Sequence, residues 1–366
     1  MLGGTVRERP SGGSALSAPT PAGRRFTGSP VAAPLVGALV AALLAGCSSG
    51  SGGVEDDLQV VDNPVAATPV PSPAVSVPPA GTVLKPAGDV VALATDPATA
   101  TLAVAVREPS SVLLYDLGDL DAEPRSVPLP GGAEQVAGVE GGLLASMPGA
   151  GAVARIALPE ATVETVPLDG APVSAVRRGQ DTLVALPDRK AIEVLVGDEV
   201  RGTVTGQLYS ADEVLLAGDE VLVLDRLRTA LFDVDLGARK VGEGLRAGDG
   251  VAGAAVDSFQ RVLTTDARGG ALLAFSTDPL LLRQRYPVPG GVFGIAVDRE
   301  RDLAWVTLTE RNEVVGFDLR GGEPTEEYRF PTVRQPNSVA VDDRTGRVVV
   351  GSAAGEGTQV IQVTEP

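Results

Sequence analysis

Arginine recurs in the segments of this chain that are best suited to bind an anionic group. Five segments carry an arginine next to or near an acidic residue: Arg107, Arg189, Arg226, Arg268 and Arg311. A guanidinium group binds a carboxylate or a phosphate through paired hydrogen bonds. The five residues are therefore a candidate binding rim. The alternative is that each arginine pairs with an acidic residue of its own segment or of a neighbouring one and has a structural role only.

Aspartate recurs as well, at the ends of short apolar segments. One kind of segment ends at Asp96, Asp257, Asp298 and Asp342, and a second kind ends at Asp116, Asp235 and Asp318. A ring of carboxylates could bind Ca²⁺, which takes six to eight oxygen ligands. Aspartate also accepts backbone N–H bonds in tight turns. The same phase in several repeats favours the turn role, because a metal site needs acids at different depths of one cavity.

Composition excludes several classes of function. Among 366 residues there is no histidine, and the one cysteine is Cys47. Histidine general bases, Ser-His-Asp triads, intrachain disulfides and His- or Cys-ligated metal sites are therefore excluded. The net charge is −17 and there is no run of Lys or Arg. Nucleic-acid binding requires clustered cations, so we expect no nucleic-acid partner. No pattern indicates a cofactor.

Residues 1–46 have the pattern of a signal peptide. Four arginines precede residue 31, and residues 31–46 are uncharged and mostly apolar. Sixteen residues are short for a membrane span, which needs about 20, but they suit a signal-peptide core. The run ends Leu44-Ala45-Gly46-Cys47, which resembles the lipobox of bacterial lipoproteins. The resemblance implies cleavage before Cys47, lipidation of its thiol, and a location on the extracytoplasmic face of the cell membrane. An uncleaved anchor is the alternative, and the export route, general secretory or twin-arginine, stays open.

Residues 47–80 follow as a segment rich in proline, glycine and serine, without aromatic residues. Such a composition buries too little apolar surface to order itself, and proline makes it semi-rigid. We therefore expect a disordered tether between the lipidated cysteine and a folded domain at residues 81–366.

The elements that position the arginines and aspartates are repeats. Anchored on Asp96, Glu140, Arg178, Gly218, Asp257, Asp298 and Asp342, the spacing is 38 to 44 residues. Each unit contains four short β-rich runs, which in the sixth unit are residues 291–297, 303–308, 313–319 and 325–330. Four strands per unit at 40–45 residues is the period of a β-propeller. The sequence therefore predicts an all-β fold, a seven-bladed propeller of four-stranded blades.

The seventh unit has only three runs before the chain ends. Residues 81–88 supply a spare strand that is similar to the fourth strands at 126–132 and 165–170. We therefore predict that the N-terminal strand closes the ring against the last blade, which removes two open sheet edges.

Residues 81–366 resemble the YVTN-type (YncE-like) propellers and, beyond them, the NHL and lactonase-like propellers. The resemblance rests on strand ends such as Ala296-Val297-Asp298 and Phe317-Asp318-Leu319; the YVTN tetrapeptide itself is absent, and Trp305-Val306-Thr307-Leu308 is nearest. A lactonase-like Ca²⁺ site would need Glu, Asn and Asp in the channel, and the region has only Asn312 and Asn337. Propellers host unrelated activities, so the family resemblance says more about the fold of this region than about its function.

Three hypotheses of function follow. The first is a membrane-anchored, monomeric, non-enzymatic propeller that binds an envelope protein, a peptide or an envelope polymer by one face. The second is a metal-dependent propeller hydrolase or lyase, similar to the lactonases, that uses channel carboxylates. The third is an assembly factor that scaffolds a membrane complex.

Overall fold

The computed structural model describes residues 64–84 and 88–363, so Cys47 and the predicted signal peptide lie outside the described residues. The described chain forms 28 strands and two single 3₁₀ turns, Pro148–Ala150 and Pro187–Arg189. None of the described segments is a helix long and apolar enough to cross a bilayer.

The strands group into seven antiparallel four-stranded blades, in which the first strand of each is innermost, and the outermost strands of blades 3 and 4 also meet in one parallel bridge between Thr205 and Lys240. Strand β1 is Thr82–Leu84. Blade 1 contains β2 (Val90–Asp96), β3 (Thr101–Val106), β4 (Ser111–Asp116) and β5 (Arg125–Pro128). Blade 2 contains β6 (Gln135–Val139), β7 (Gly142–Met147), β8 (Ala152–Ala157) and β9 (Val163–Pro167). Blade 3 contains β10 (Ser174–Arg178), β11 (Asp181–Leu186), β12 (Ala191–Val196) and β13 (Glu199–Thr205).

Blade 4 contains β14 (Glu213–Ala217), β15 (Glu220–Asp225), β16 (Ala230–Asp235) and β17 (Lys240–Arg246). Blade 5 contains β18 (Val251–Val256), β19 (Val262–Asp266), β20 (Ala271–Thr277) and β21 (Leu280–Pro287). Blade 6 contains β22 (Val292–Asp298), β23 (Leu303–Leu308), β24 (Glu313–Asp318) and β25 (Thr325–Pro331). Blade 7 contains β26 (Pro336–Asp342), β27 (Arg347–Ser352), β28 (Thr358–Gln362) and, as its fourth strand, β1.

The ring closes as the repeat predicts. Each innermost strand contacts the innermost strands of the two neighbouring blades, in the cycle β2, β6, β10, β14, β18, β22, β26 and back to β2. Strand β1 pairs antiparallel with β28, with Thr82 opposite Val360 and Leu84 opposite Thr358. The protein is thus an all-β, seven-bladed propeller whose last blade contains the first strand of the chain.

Apolar side chains between successive blades form the core. The second strand of a blade lies between two other strands and is covered on both faces, so β7 and β23 are buried at every residue. Trp305 on β23 is fully buried and stacks on Tyr328, with ring centroids 5.6 Å apart. A Cβ atom on Gly316 would lie 2.9 Å from the Trp305 ring, so this position requires glycine. Trp305 is a core residue, as we expect from its strand.

The structure differs from the sequence-based expectation at residues 64–80. These residues belong to the predicted disordered tether, but they lie against the propeller, and the Ala67 side chain is 1% exposed. At the end of the segment, the Ala80 N–H donates to the Pro331 carbonyl over 3.0 Å. We call residues 64–80 the proline strap. Its hydrogen bonds to the propeller, described below, explain how a segment of this composition is held in place.

Candidate functional site

The five arginines of the predicted rim lie on one side of the propeller. They occupy the loops between the second and third strands of their blades: Arg107 in blade 1, Arg189 in blade 3, Arg226 in blade 4, Arg268 in blade 5 and Arg311 in blade 6. These loops share a side with the connections from one blade to the next. We call this side the arginine face, and the opposite side, with the turns between first and second strands, the turn face.

Arg189 is paired within its own blade. Its Nη1 atom lies 2.7 Å from Glu193 Oε1 on β12 and also donates to the Asp169 carbonyl over 2.7 Å. The Glu193 side chain is 4% exposed. Burial raises the pKa of Glu193, and the positive charge of Arg189 opposes that shift. Arg189 therefore compensates a buried carboxylate, which is the structural alternative given above.

Arg268 and Arg311 each lie over a glycine of the connection that enters their blade. A Cβ atom on Gly250 would lie 2.6 Å from Arg268 Cγ, and one on Gly290 would lie 2.9 Å from Arg311 Nε. Both distances are below van der Waals contact, so the arginine stem occupies the space that a side chain would need. Within the described residues, neither arginine makes an ion pair. Arg107, in blade 1, is exposed and makes no ion pair with any residue of 64–84 or 88–363.

Arg226 and Arg268 hold the first part of the proline strap. Arg226 Nη2 donates to the Ala67 carbonyl over 3.0 Å, and Arg268 Nη2 donates to the Val65 carbonyl over 2.5 Å. The strap therefore lies on the arginine face above blades 4 and 5. The acceptors of these two bonds are main-chain oxygens, which any residue type can supply.

Amide side chains hold the second part of the strap above blades 6 and 7. Asn312 Nδ2 donates to the Pro73 carbonyl over 3.0 Å, and Gln335 Nε2 donates to the Val70 carbonyl over 3.2 Å. The Ser72 N–H donates to Gln335 Oε1 over 2.9 Å, and the Gln335 N–H donates to Ser72 Oγ over 3.1 Å. Together with Arg226 and Arg268, these donors bind four carbonyl groups of one extended chain. Asn312 and Gln335 were not among the sequence-predicted site residues.

The repeated aspartates close turns. Asp257 Oδ1 accepts the N–H of Arg261 over 2.8 Å, and Asp298 Oδ1 accepts the N–H of Arg301 over 3.0 Å. At the ends of third strands, Asp116 Oδ1 accepts the N–H of Gly118 over 2.7 Å. The turn role predicted from their common phase therefore describes these residues. Across residues 64–84 and 88–363, there is no group of three or more acidic side chains arranged to hold a metal ion.

Two further aspartates accept backbone hydrogen bonds from the loops of the arginine face. Asp266 is fully buried at the end of β19, and its carboxylate accepts the N–H groups of Asp249, Gly250 and Gly269 over 2.9 to 3.0 Å. In blade 4, the Asp225 carboxylate accepts the N–H of Tyr209 in the entering connection and the N–H of Arg228 in the loop. Each carboxylate ties the connection that enters a blade to the loop that carries its arginine. In blades 4 and 5, these bonds hold the two loops of the arginine face together.

The central channel of the propeller contains a cavity. A cavity of about 570 Å³ lies along the innermost strands of blades 2 to 6 and reaches the turn face at Glu140 and Arg299. Arg177 lines it, and its Nε atom is buried without a hydrogen-bond partner in the described structure. Glu213 also lines it, and desolvation raises the pKa of Glu213 to about 7.

Glu213 has a structural counterpart in blade 2. Glu213 Oε2 accepts the N–H of Ala254 in the next blade over 3.2 Å, and Gln135 Oε1 accepts the N–H of Ala175 over 3.0 Å. Both residues are the first of an innermost strand. The shared role is a bridge between neighbouring blades. Sequence reasoning missed it, although the matching strand positions were the available signal.

Comparison with known proteins agrees with this architecture. No protein-family model matches the sequence, and no curated protein matches it. Several solved structures do match. Hydrazine synthase of Kuenenia stuttgartiensis matches with 14% identity and a TM-score of 0.65, over 78% of this chain and 98% of that one. The WD40 β-propeller domain of Doa1 matches with 15% identity and a TM-score of 0.63, over 78% of this chain and 97% of that one.

A third match is virginiamycin B lyase from Staphylococcus aureus, with 12% identity and a TM-score of 0.61 over 75% of this chain and 95% of that one. By fold, the chain is a β-propeller. At these identities the likeness extends to the fold alone, and the propeller neighbours include both lyases and WD40 domains. The function of this propeller must be inferred from its own surfaces.

Proposed function

We propose that this propeller is a membrane-anchored, non-enzymatic lipoprotein of the YVTN type that binds a protein, peptide or polymer of the cell envelope through its arginine face. The observation that supports the binding role is the proline strap. The arginine face holds one extended chain by side-chain donors placed at intervals over four blades. A surface that binds one extended chain has the chemistry to bind another.

The anchoring part of the proposal rests on Cys47, which lies outside the described residues. The lipobox-like sequence Leu44-Ala45-Gly46-Cys47 follows an apolar segment and precedes the strap by fewer than twenty residues. One acyl chain gives only marginal membrane binding. We therefore expect at least two chains on the mature N-terminus, and an extracytoplasmic propeller close to the bilayer.

The lyase alternative has less support. A variant of virginiamycin B lyase in which one histidine is replaced by alanine is described as catalytically inactive, and this chain has no histidine at all. The acids of the described turns are occupied with backbone N–H groups. A binding role therefore agrees better with the residues that are present.

The test of anchoring compares the wild type with Cys47→Ser in a bacterial host that processes lipoproteins. We expect the wild type in the membrane fraction, with a mass that corresponds to cleavage before Cys47 and two or three acyl chains. The Cys47→Ser variant should be unprocessed or released. Wild-type protein that retains residues 1–46 as its main form would contradict the anchoring proposal.

The test of the binding face uses a photocrosslinking amino acid at one of two exposed positions in the same chain. Glu310 lies in the loop beside Arg311 on the arginine face, and Glu300 lies in a turn on the turn face. Crosslinks to one envelope component from position 310, and none from position 300, are the expected result. Crosslinks only from position 300 would place binding on the turn face and contradict the proposal.

A further inference from the structure

The strap is held in a way that permits another chain to take its place. The four carbonyl groups of Val65, Ala67, Val70 and Pro73 accept from propeller side chains. Proline-rich chains in the polyproline II conformation have no internal hydrogen bonds, so their carbonyl groups are free to accept. Any extended proline-containing segment can present the same row of acceptors.

The strap satisfies the hydrogen bonds of the arginines without neutralising their charge. Residues 64–80 contain no acidic side chain, and a carbonyl oxygen carries only a partial charge. Arg268 makes no ion pair within the described part of the chain, and the same is true of Arg311 in the next blade. An acidic segment would bring a full negative charge to the guanidinium group and could accept paired hydrogen bonds from it, which a single carbonyl oxygen cannot do.

We propose that the proline strap is an intramolecular occupant of the arginine face that is replaced by an extended, proline-containing, acidic segment of a protein partner. The proposal rests on the proposed function and specifies the partner class for the same face. A tethered segment acts at an effective concentration on the order of millimolar. The partner must therefore bind better than the strap, and the acidic side chain provides that difference.

The test needs a full-length protein in which the strap is undocked and the propeller is unchanged. Ala67 is 1% exposed beside Arg226, so Ala67→Arg introduces both a steric clash and a repulsion of like charges. Thr68→Arg adds the same charge at an exposed neighbouring position and is the matched control. Cleavage by elastase within the strap reports undocking: it should accelerate in Ala67→Arg and stay at the wild-type rate in Thr68→Arg.

Two fluorescent synthetic peptides then serve as probes. One has the sequence of residues 64–77, and the other is the same peptide with Ala66→Glu, next to the carbonyl that Arg268 binds. In fluorescence anisotropy, we expect the first peptide to bind Ala67→Arg at least tenfold more tightly than it binds the wild type or Thr68→Arg. The docked strap leaves the site open in only a fraction of the molecules, and the apparent affinity of the peptide falls in proportion to that fraction. The acidic peptide should bind several-fold more tightly still at low salt. This gain should disappear at high salt and in an Ala67→Arg/Arg268→Ala double variant.

Equal binding of the first peptide to the wild type and Ala67→Arg would overturn the proposal, and so would unchanged elastase cleavage or an acidic peptide with no advantage. Absence of peptide binding to an Ala67→Arg protein that melts like the wild type would also overturn it. These assays use detergent-solubilised protein and no membrane. A failure of Cys47-dependent anchoring therefore leaves their outcome unaffected, and the two failures can be distinguished.

Discussion

Glu213 should make the stability of the propeller depend on pH near neutrality. Its pKa is about 7 in the folded protein, because the carboxyl group is desolvated in the channel, against an ordinary value of 4.5. Between these two values, the folded state keeps a proton that the unfolded state has lost. Stability therefore falls as pH rises through this window, and the whole cost is present above pH 7.

The substitution Glu213→Gln removes the ionisation and keeps the bridge to Ala254. Blade 2 shows that a glutamine fits this role, because Gln135 accepts the N–H of Ala175 at the matching position. The shift corresponds to at most about 3 kcal/mol, and the partial exposure of Glu213 to water in the channel reduces it. We expect Glu213→Gln to be more stable than the wild type by about 1–3 kcal/mol at pH 8 and nearly equal to it at pH 4.5.

Urea unfolding followed by fluorescence of Trp305, the one tryptophan in the chain, measures this between pH 4.5 and pH 8. The reciprocal variant Gln135→Glu should lose stability as pH rises. Burial also raises the pKa of Asp212. The Glu213→Gln variant will therefore keep part of the wild-type pH dependence. A stability difference between Glu213→Gln and the wild type that is the same at every pH would refute the reasoning.

Two further predictions concern the ring and its arginines. Leu84→Ala should destabilise the protein by about 2–3 kcal/mol, because Leu84 is 8% exposed and lies in one apolar cluster with Val360 of the last blade. The control Thr82→Ala, at an exposed position of the same strand, should change the melting temperature little. Equal melting temperatures of the two variants would contradict ring closure by β1. Arg189→Ala should lower the free energy of unfolding by about 1–3 kcal/mol, because it leaves the buried carboxylate of Glu193 unpaired. Arg311→Ala should change the free energy of unfolding by no more than about 0.5 kcal/mol. Equal losses of the two variants in urea unfolding would contradict the contacts described for Arg189.

The propeller was predictable from the sequence because strand, turn and blade repeat at one spacing. In blade 6, the predicted runs at 303–308 and 325–330 correspond to the strands Leu303–Leu308 and Thr325–Pro331. Closure by the N-terminal strand was predictable for the same reason, since a missing fourth strand and a spare one of the same pattern can be counted. Local pattern and global architecture agree in this region.

The proline strap was not predictable from composition. Composition measures how much apolar surface a segment can bury, and residues 64–80 bury little apart from Ala67. Most of the contacts that hold the strap end on main-chain carbonyl groups, which every residue has, so they leave no signal in the strap sequence. The donors Asn312 and Gln335 lie more than 200 residues away along the chain, and only the closed ring brings them to the strap.

In blades 5 and 6, packing is sufficient to explain the arginine, so the repetition of arginine does not by itself indicate a binding role. The arginine stem fills the space above Gly250 in blade 5 and above Gly290 in blade 6, and it does so whether or not a ligand binds. Evidence for a binding role must come from contacts that differ between blades. Of the five arginines, Arg226 and Arg268 donate to the strap, and Arg268 also lacks an ion pair in the described chain. The capacity of this face to bind an extended chain is therefore concentrated in blades 4 to 7, with Arg268 as the residue that distinguishes an acidic partner from the neutral strap.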